Sequence, residues 1–249
     1  MTEPFPATRV DGVLRVCRPD AEWLHTGWNG GRRVADVAYN VSVPEGWACD
    51  DVESYVADRL DRAGFDGDGP VLLTGVDLEH ARGARCGPVT AYATAGVSNP
   101  AALPIEPAGG ALPDGRLERG DDAAGTVNLV VCTTRALGDG ALANLVAVAA
   151  EAKAATLLAE TGFPGTTTDA VVAGHDPAGA PAEFSGSATP VGAAARACVR
   201  EALRAALRSR YAGTDATLPD SVAAAASGVS TDVRADVFRP EAARPDPEP

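Results

Sequence analysis

Lysine is almost missing from this sequence: of 21 basic side chains only Lys153 is a lysine, and all the others are arginine. Arginine stays protonated in proteins, whereas a compact ammonium can give up its proton when buried, so the one lysine either marks a position where arginine would not serve or is a chance survivor of a lysine-poor composition. Aromatic residues are scarce, at 5%. No run of about 18 apolar residues occurs, and no basic stretch leads into an apolar one at the start, so neither a membrane span nor a signal peptide is expected and the protein reads as cytosolic. The five cysteines, Cys17, Cys49, Cys86, Cys132 and Cys198, are odd in number, widely spaced and without a C-x-x-C pair. That excludes a zinc ribbon and argues against a disulfide framework. The three histidines, His25, His80 and His175, stand alone with no H-E-x-x-H pattern, so no metal site is expected. Walker A, G-x-G-x-x-G and G-x-S-x-G patterns are also missing, which leaves little room for phosphate-cradling or α/β-hydrolase chemistry.

What is present is acid. A net charge of −13 repels nucleic acid and anionic membrane surfaces, so neither is expected as a partner. Together with abundant alanine, glycine and aspartate it suits a high-salt cytosol, where hydrated carboxylates keep a protein in solution. With 45% hydrophobic residues in 249, the chain can bury a sizeable core. Residues 1–210 read as one catalytic domain. Residues 211–249 read as an acidic, flexible tail, dispensable for chemistry, with a short strand at 233–238.

The organising stretch is 125–175. Residues 127–134 are apolar on both faces and β-branched, as in a strand buried from both sides. Gly138 and Asp139 break it, and Asp139 is placed to cap a helix running to about Thr161, where Gly162 and Pro164 stop it. Alanine and leucine on nearly every face suit a helix packed deep in the protein. Residues 169–175 form a second apolar strand. On this helix Lys153 lies roughly 200° from Glu151, so the two cannot line one pocket, whereas Asn144 and Glu151 share a stripe.

Around this unit the chain predicts strands at 13–18, 34–43, 71–76 and 90–97, a helix from Asp50 and Asp51 to about Ala63, and a helix from Val191 to about Arg210. Residues 77–85 read as a turn of helix or a loop, and 98–124 as a long loop near the ligand. The fold class is α/β (or α+β): a single domain with a mixed sheet packed by a central Ala-rich helix and flanking helices.

If the two central strands are parallel, the second half of the helix lies at their N-terminal ends. Asn128, Glu151 or Lys153, and the loop Gly165-Thr166-Thr167-Thr168-Asp169 then meet at one sheet edge. Hydroxyls, backbone amides and a carboxylate are the ingredients of acyl transfer. Asn40, polar inside an apolar run, and the Gly30-Gly31 turn, which lets backbone approach a ligand, are further candidates.

Several stretches together resemble the adenosylcobinamide amidohydrolases of cobamide salvage: G-T-V-N at 125–128, L-G-D-G-A-L-A-N-L-V at 137–146, E-A-K at 151–153, the G-T-T-T-D loop at 165–169, F-S-G at 184–186 and V-G-A-A-A-R-A at 191–197. They span roughly residues 10 to 210. One departure is Pro164, which stands where the family loop carries a threonine. The resemblance implies hydrolysis of the amide between aminopropanol and the corrin's propionyl side chain. The corrinoid is then the substrate, no cofactor is required, and the oligomeric state is left open. On that reading Glu151 or Asp169 is the general base, Lys153 a proton donor or electrostatic support, and Thr166 or Thr168 positions water or acts as nucleophile. Asn128, Asn40, Asn144, Gly30 and Gly31 contact substrate. The alternatives are a corrinoid-binding protein without hydrolase activity, and an N-terminal-nucleophile-type amidase self-cleaved before Thr166.

Overall fold

The structure, a computed structural model, describes residues 4–44, 46–113, 125–214, 216–225 and 227–240. In chain order it contains β1 (Ala7–Val10), β2 (Val13–Cys17), β3 (Glu22–His25), β4 (Gly31–Val34), β5 (Val37–Ser42), α1 (Val52–Ala63), β6 (Val71–Thr74), β7 (Arg82–Cys86) and β8 (Val89–Ala95). There follow β9 (Ala101–Ala102), β10 (Val127–Leu137), α2 (Asp139–Thr161), β11 (Ala170–Ala182), α3 (Pro190–Tyr211) and β12 (Val229–Ser230).

The expected mixed α/β fold is present, but it holds two main sheets where one was read. Six strands in the order β4-β3-β11-β10-β8-β7 make the larger sheet, in which only β10 and β11 run parallel. Four strands in the order β1-β2-β5-β6 make the smaller. Alternation along β10 explains the stacking, because a strand with apolar residues on both faces must be covered on both. Leu129 and Val131 pack under α2 and α3, whereas Val130 and Cys132 face Trp23, Leu72 and Phe5 between the sheets. The outer face of the smaller sheet, with Tyr39 and Val41, is closed by α1 through Val56 and Ala63. The layers therefore run helices, sheet, sheet, helix.

α2 begins and ends near the expected residues, but its N-cap is Gly138 and not Asp139. Asp139 occupies the first helical position and pairs instead with Arg32. Nor is α2 buried all round. Leu142, Leu145, Val148, Ala149, Ala152 and Leu157 cover the sheet, whereas Leu158 is 55% exposed. Alanine on the outer face adds so little apolar surface that a one-sided helix reads as uniformly apolar. By length and composition alone α2 could cross a membrane; here it is the crossover between β10 and β11, packed on the larger sheet. Of residues 77–85, read as a turn of helix or a loop, Leu78–His80 form a single 3-10 turn, whereas Arg82–Cys86 form edge strand β7.

Beyond α3 the chain turns back along the domain. β12 pairs in parallel with β9, residue 229 against 101 and 230 against 102. The strand expected at 233–238 is not there, and Val237 and Phe238 are almost fully exposed.

Candidate active site

The N-terminal ends of β10 and β11 lie side by side, with Asn128 opposite Ala170. Asp169, one residue ahead of β11, gathers four donors there. Oδ2 accepts from Lys153 Nζ on the second half of α2 and from the Thr166 amide at 3.1 Å. Oδ1 accepts from the Thr166 hydroxyl and from the Val127 amide at 3.1 Å. The Lys153 and Asp169 side chains are only 13% and 11% exposed. Gly165 makes this packing possible, since a Cβ at that residue would come within 2.6 Å of Asp169 Oδ2 and 3.1 Å of Lys153 Nζ. The antiparallel run of α2 against its strands is what delivers a helix residue to the edge where the loop sits.

The strap after β8 holds that loop from the other side. Ala101 donates its amide to the Gly165 carbonyl at 2.9 Å and Thr167 donates to the Asn99 carbonyl at 3.2 Å. Asn99 Nδ2 donates to Thr167 Oγ1 at 2.7 Å, and the hydroxyls of Thr126 and Thr168 lie 3.2 Å apart. Asn99 is 1% exposed and was missed in the sequence, because it sits in an aperiodic stretch and its partners lie far along the chain. Gly125 of the G-T-V-N motif is there for the same packing: a Cβ would meet Asn99 Oδ1 at 2.2 Å.

The strap is in turn tied to the chain beyond α3. Val229 donates to the Pro100 carbonyl at 2.9 Å, Thr231 to Ala102 at 3.0 Å, and Gly109 to Asp232 at 3.1 Å. Removing everything after residue 214 is therefore expected to lower kcat by about 10-fold or more, since small displacements of reacting groups are costly. The melting transition of the α2 and α3 core should persist. Unchanged turnover in the truncated chain would show that the tail does not support the loop.

The remaining candidates do not join the Lys153–Asp169–Thr166 cluster. Glu151 does not join Lys153: its side chain is 64% exposed and pairs with Arg196 of α3 at 3.2 Å. Asn128, the second residue of β10, lies at the right edge but faces the space between the sheets, donating to Asn40 Oδ1 at 3.0 Å and the Leu73 carbonyl at 2.8 Å. Asn40 donates on to Thr94 Oγ1 at 3.1 Å. The period of two along a strand puts Asn128 and the even-numbered residues after it on the face away from Lys153. Asn144 lies on the first half of α2, toward the opposite sheet edge, and donates to Ser185 Oγ at 3.0 Å. Thr168 is exposed and bonds the Gly125 carbonyl at 3.2 Å. Gly30 and Gly31 close the turn between β3 and β4, which is joined to the site's sheet edge where Thr26 donates to the Val171 carbonyl at 3.0 Å.

A second polar group occupies the far end of the parallel pair. His175 Nδ1 accepts from the Leu137 amide at 3.3 Å, which puts the ring proton on Nε2, 3.6 Å from Glu22 Oε2. Glu22 also accepts from Arg32, whose hydrogen bond holds the Glu22 carboxyl below its ordinary value. Burial depresses His175 in spite of Glu22, and burial together with Arg33 depresses His25. In both histidines the folded value lies below the ordinary 6.5, so in acid the unfolded chain takes up protons that the folded chain refuses. Stability is thus expected to be full above that value and to decline as pH falls below it. Glu22 adds a further loss, as pH drops through its own depressed value. Melting temperatures across pH 7.5 to 5 test the histidine contribution, where His25→Gln should flatten the slope, and extending the series below pH 4.5 tests that of Glu22. Burial pushes the Cys132 thiol strongly upward and Cys198 to about 11, so neither serves as a nucleophile.

The model of a family described as adenosylcobinamide amidohydrolase matches residues 5–215. A curated protein named adenosylcobinamide amidohydrolase, from Halobacterium salinarum, is 63% identical over 238 residues, covering 95% of this chain and 100% of that protein. Another of the same name, from Methanosarcina mazei, is 29% identical over 163 residues, covering 65% of this chain and 72% of that one. A solved structure, the PH0078 protein from Pyrococcus horikoshii OT3, superposes at a TM-score of 0.42 and 15% identity over 83% of this chain and 80% of that one, a likeness from which nothing about the site follows.

Proposed function

The chain belongs to the adenosylcobinamide amidohydrolase family, and we propose that it carries out that hydrolysis with Thr166 as nucleophile, Asp169 as its base and Lys153 as proton donor to the leaving amine. The bond cut is the amide between aminopropanol and the corrin's propionyl side chain, and the acid product is adenosylcobyric acid. The observation that carries the assignment of roles is the paired use of Asp169: one carboxylate oxygen accepts the Thr166 hydroxyl and the other accepts Lys153. A hydroxyl already donating to a carboxylate, with a cation on that carboxylate's far side, is the arrangement of a nucleophile with its base and the group that orients the base.

In the first step Thr166 Oγ1 attacks the amide carbon and its proton passes to Asp169. The carbon–nitrogen bond breaks as Lys153 protonates the nitrogen, and aminopropanol departs as the free amine. The proton on Asp169 returns to Lys153 through their shared hydrogen bond. Water then cleaves the threonyl ester to give the corrinoid acid. These residues supply base, nucleophile and proton donor without a cofactor, the corrinoid being the substrate. The strap offers a large apolar substrate a surface to lie on, because Leu103 and Ile105, two and four residues beyond Ala101, are 65% and 89% exposed.

The test is incubation of the purified protein with adenosylcobinamide in molar salt, following adenosylcobyric acid and aminopropanol by chromatography and mass. Release of both supports the reading; tight binding without release would make the protein a corrinoid carrier. One observation favours a second reading, self-cleavage before Thr166: the Gly165 carbonyl accepts the Ala101 amide beside the Thr166 hydroxyl. An intact-mass spectrum with fragments ending at Gly165 and beginning at Thr166 would establish it, and a single full-length chain would remove it.

A further inference from the structure

A cavity of about 350 Å³ opens between α1, the smaller sheet and the β3–β4 turn, with His25, Trp28, Arg33, Glu53, Leu60 and Val71 in its walls. Its size is at the lower end of small-ligand pockets, room for one heterocycle with a sugar and not for a corrin. His25 is 3% exposed, yet neither ring nitrogen has a hydrogen-bond partner among the described residues. Leaving a buried polar group unpaired costs about 1–3 kcal/mol, so an imidazole kept this way in a cavity wall points to a ligand that completes it. Burial and Arg33 favour its neutral form, which offers one donor and one acceptor. The charges of Arg33, Glu53 and Asp68 around the cavity sum to a net negative, which disfavours an anion such as phosphate. Apolar walls with the Trp28 ring suit a flat, uncharged base, and the exposed Glu53 carboxylate suits the hydroxyls of a ribose.

Resting on the amidohydrolase reading above, we propose that this cavity is the subsite for the adenosyl group of the substrate, with the base against Trp28 and hydrogen-bonded to His25. Its position agrees with the shape of the substrate. Thr26, next to His25, is bonded through both its amide and its hydroxyl to Val171, two residues from Asp169. His25 stands opposite Val172 and two residues from Trp23, so its side chain faces away from α2, whereas Lys153 reaches Asp169 from the α2 side; the cavity and the cluster therefore approach this sheet edge from opposite faces. In a corrinoid the adenosyl group and the amide arm likewise leave the ring on opposite faces, so a corrin laid across the edge would send one to each.

The test pairs a binding measurement with a kinetic one. Calorimetry of the full chain with 5′-deoxyadenosine should show binding that Trp28→Ala weakens at least 10-fold, with His25→Ala and Glu53→Gln as companions should either of the other variants fold poorly. KM should be at least 10-fold lower for adenosylcobinamide than for cobinamide with water as upper ligand, and that ratio should collapse in Trp28→Ala. No binding of 5′-deoxyadenosine, or equal KM for the two substrates in the wild type, would overturn the subsite. Hydrolysis of neither substrate would instead overturn the amidohydrolase reading, while the calorimetry still decides whether the cavity takes a nucleoside.

Discussion

Lys153→Arg is expected to lower kcat on adenosylcobinamide by at least about 10²-fold, the lower end of what a positioned proton donor contributes, with little change in melting temperature. The substitution is chosen because it separates two roles. Arginine keeps the positive charge against Asp169, so the carboxylate is not left without its cation, but it cannot hand a proton to a leaving amine near neutral pH. Lys153→Ala answers a blunter question. With Asp169 only 11% exposed, losing the cation strands a mostly buried charge, at the low end of about 3–5 kcal/mol. Activity and folding would then fall together. Glu151→Gln is the matched control on the same helix and should stay within about twofold, because its ion pair with Arg196 is exposed. Lys153→Arg turning over within tenfold of wild type would reduce the lysine to electrostatic support and remove the proton-donor step.

Thr166→Val should abolish turnover more completely, by on the order of 10³-fold or more, since knocking out a nucleophile removes the concerted work of its partners as well. Valine replaces the hydroxyl with a methyl of similar shape, so the loop stays packed. The loss of one hydrogen bond to a carboxylate is worth about 1.5–3 kcal/mol, visible as a lowered melting temperature in a chain that still folds. Thr166→Ser restores the hydroxyl and should recover activity to within about tenfold. The direct readout is a rapid-quench intact mass. Wild type should show a fraction of chains carrying the corrinoid acyl group, and Thr166→Val none. Turnover by Thr166→Val near the wild-type rate would mean that water attacks directly, with Asp169 as its base and the threonine only holding the carboxylate in place.

The strand, helix, strand unit was legible because each boundary carries a local chemical mark: Gly138 before α2, Gly162 in the left-handed conformation after it with φ 80°, and β-branched runs on either side. So was the separation of Glu151 from Lys153, which follows from helical geometry alone. What could not be read depends on pairing between distant segments. Which face of β10 carries Asn128 relative to Lys153 is fixed by register, and the second sheet by where β2 and β5 pair; neither leaves a mark within a few residues. Strand β7 was hidden because its residues, Arg82 to Cys86, are half-buried or exposed at a sheet edge and supply no apolar alternation. Asn99 and the bonds from Val229 and Asp232 lie in stretches without periodicity, where hydrogen bonds to backbone, and not side-chain pattern, set the structure.

A chain with one lysine, and that lysine held against Asp169 at 13% exposure, is a natural subject for amine chemistry. An acylating or reductively alkylating reagent meets just two kinds of primary amine, the N-terminus and Lys153, with no background of surface lysines to blur the signal. The modification state of a single tryptic peptide then measures how often the loop of residues 165–169 opens. A bound corrinoid that closes the site would appear as protection of that one peptide, read without any catalytic assay.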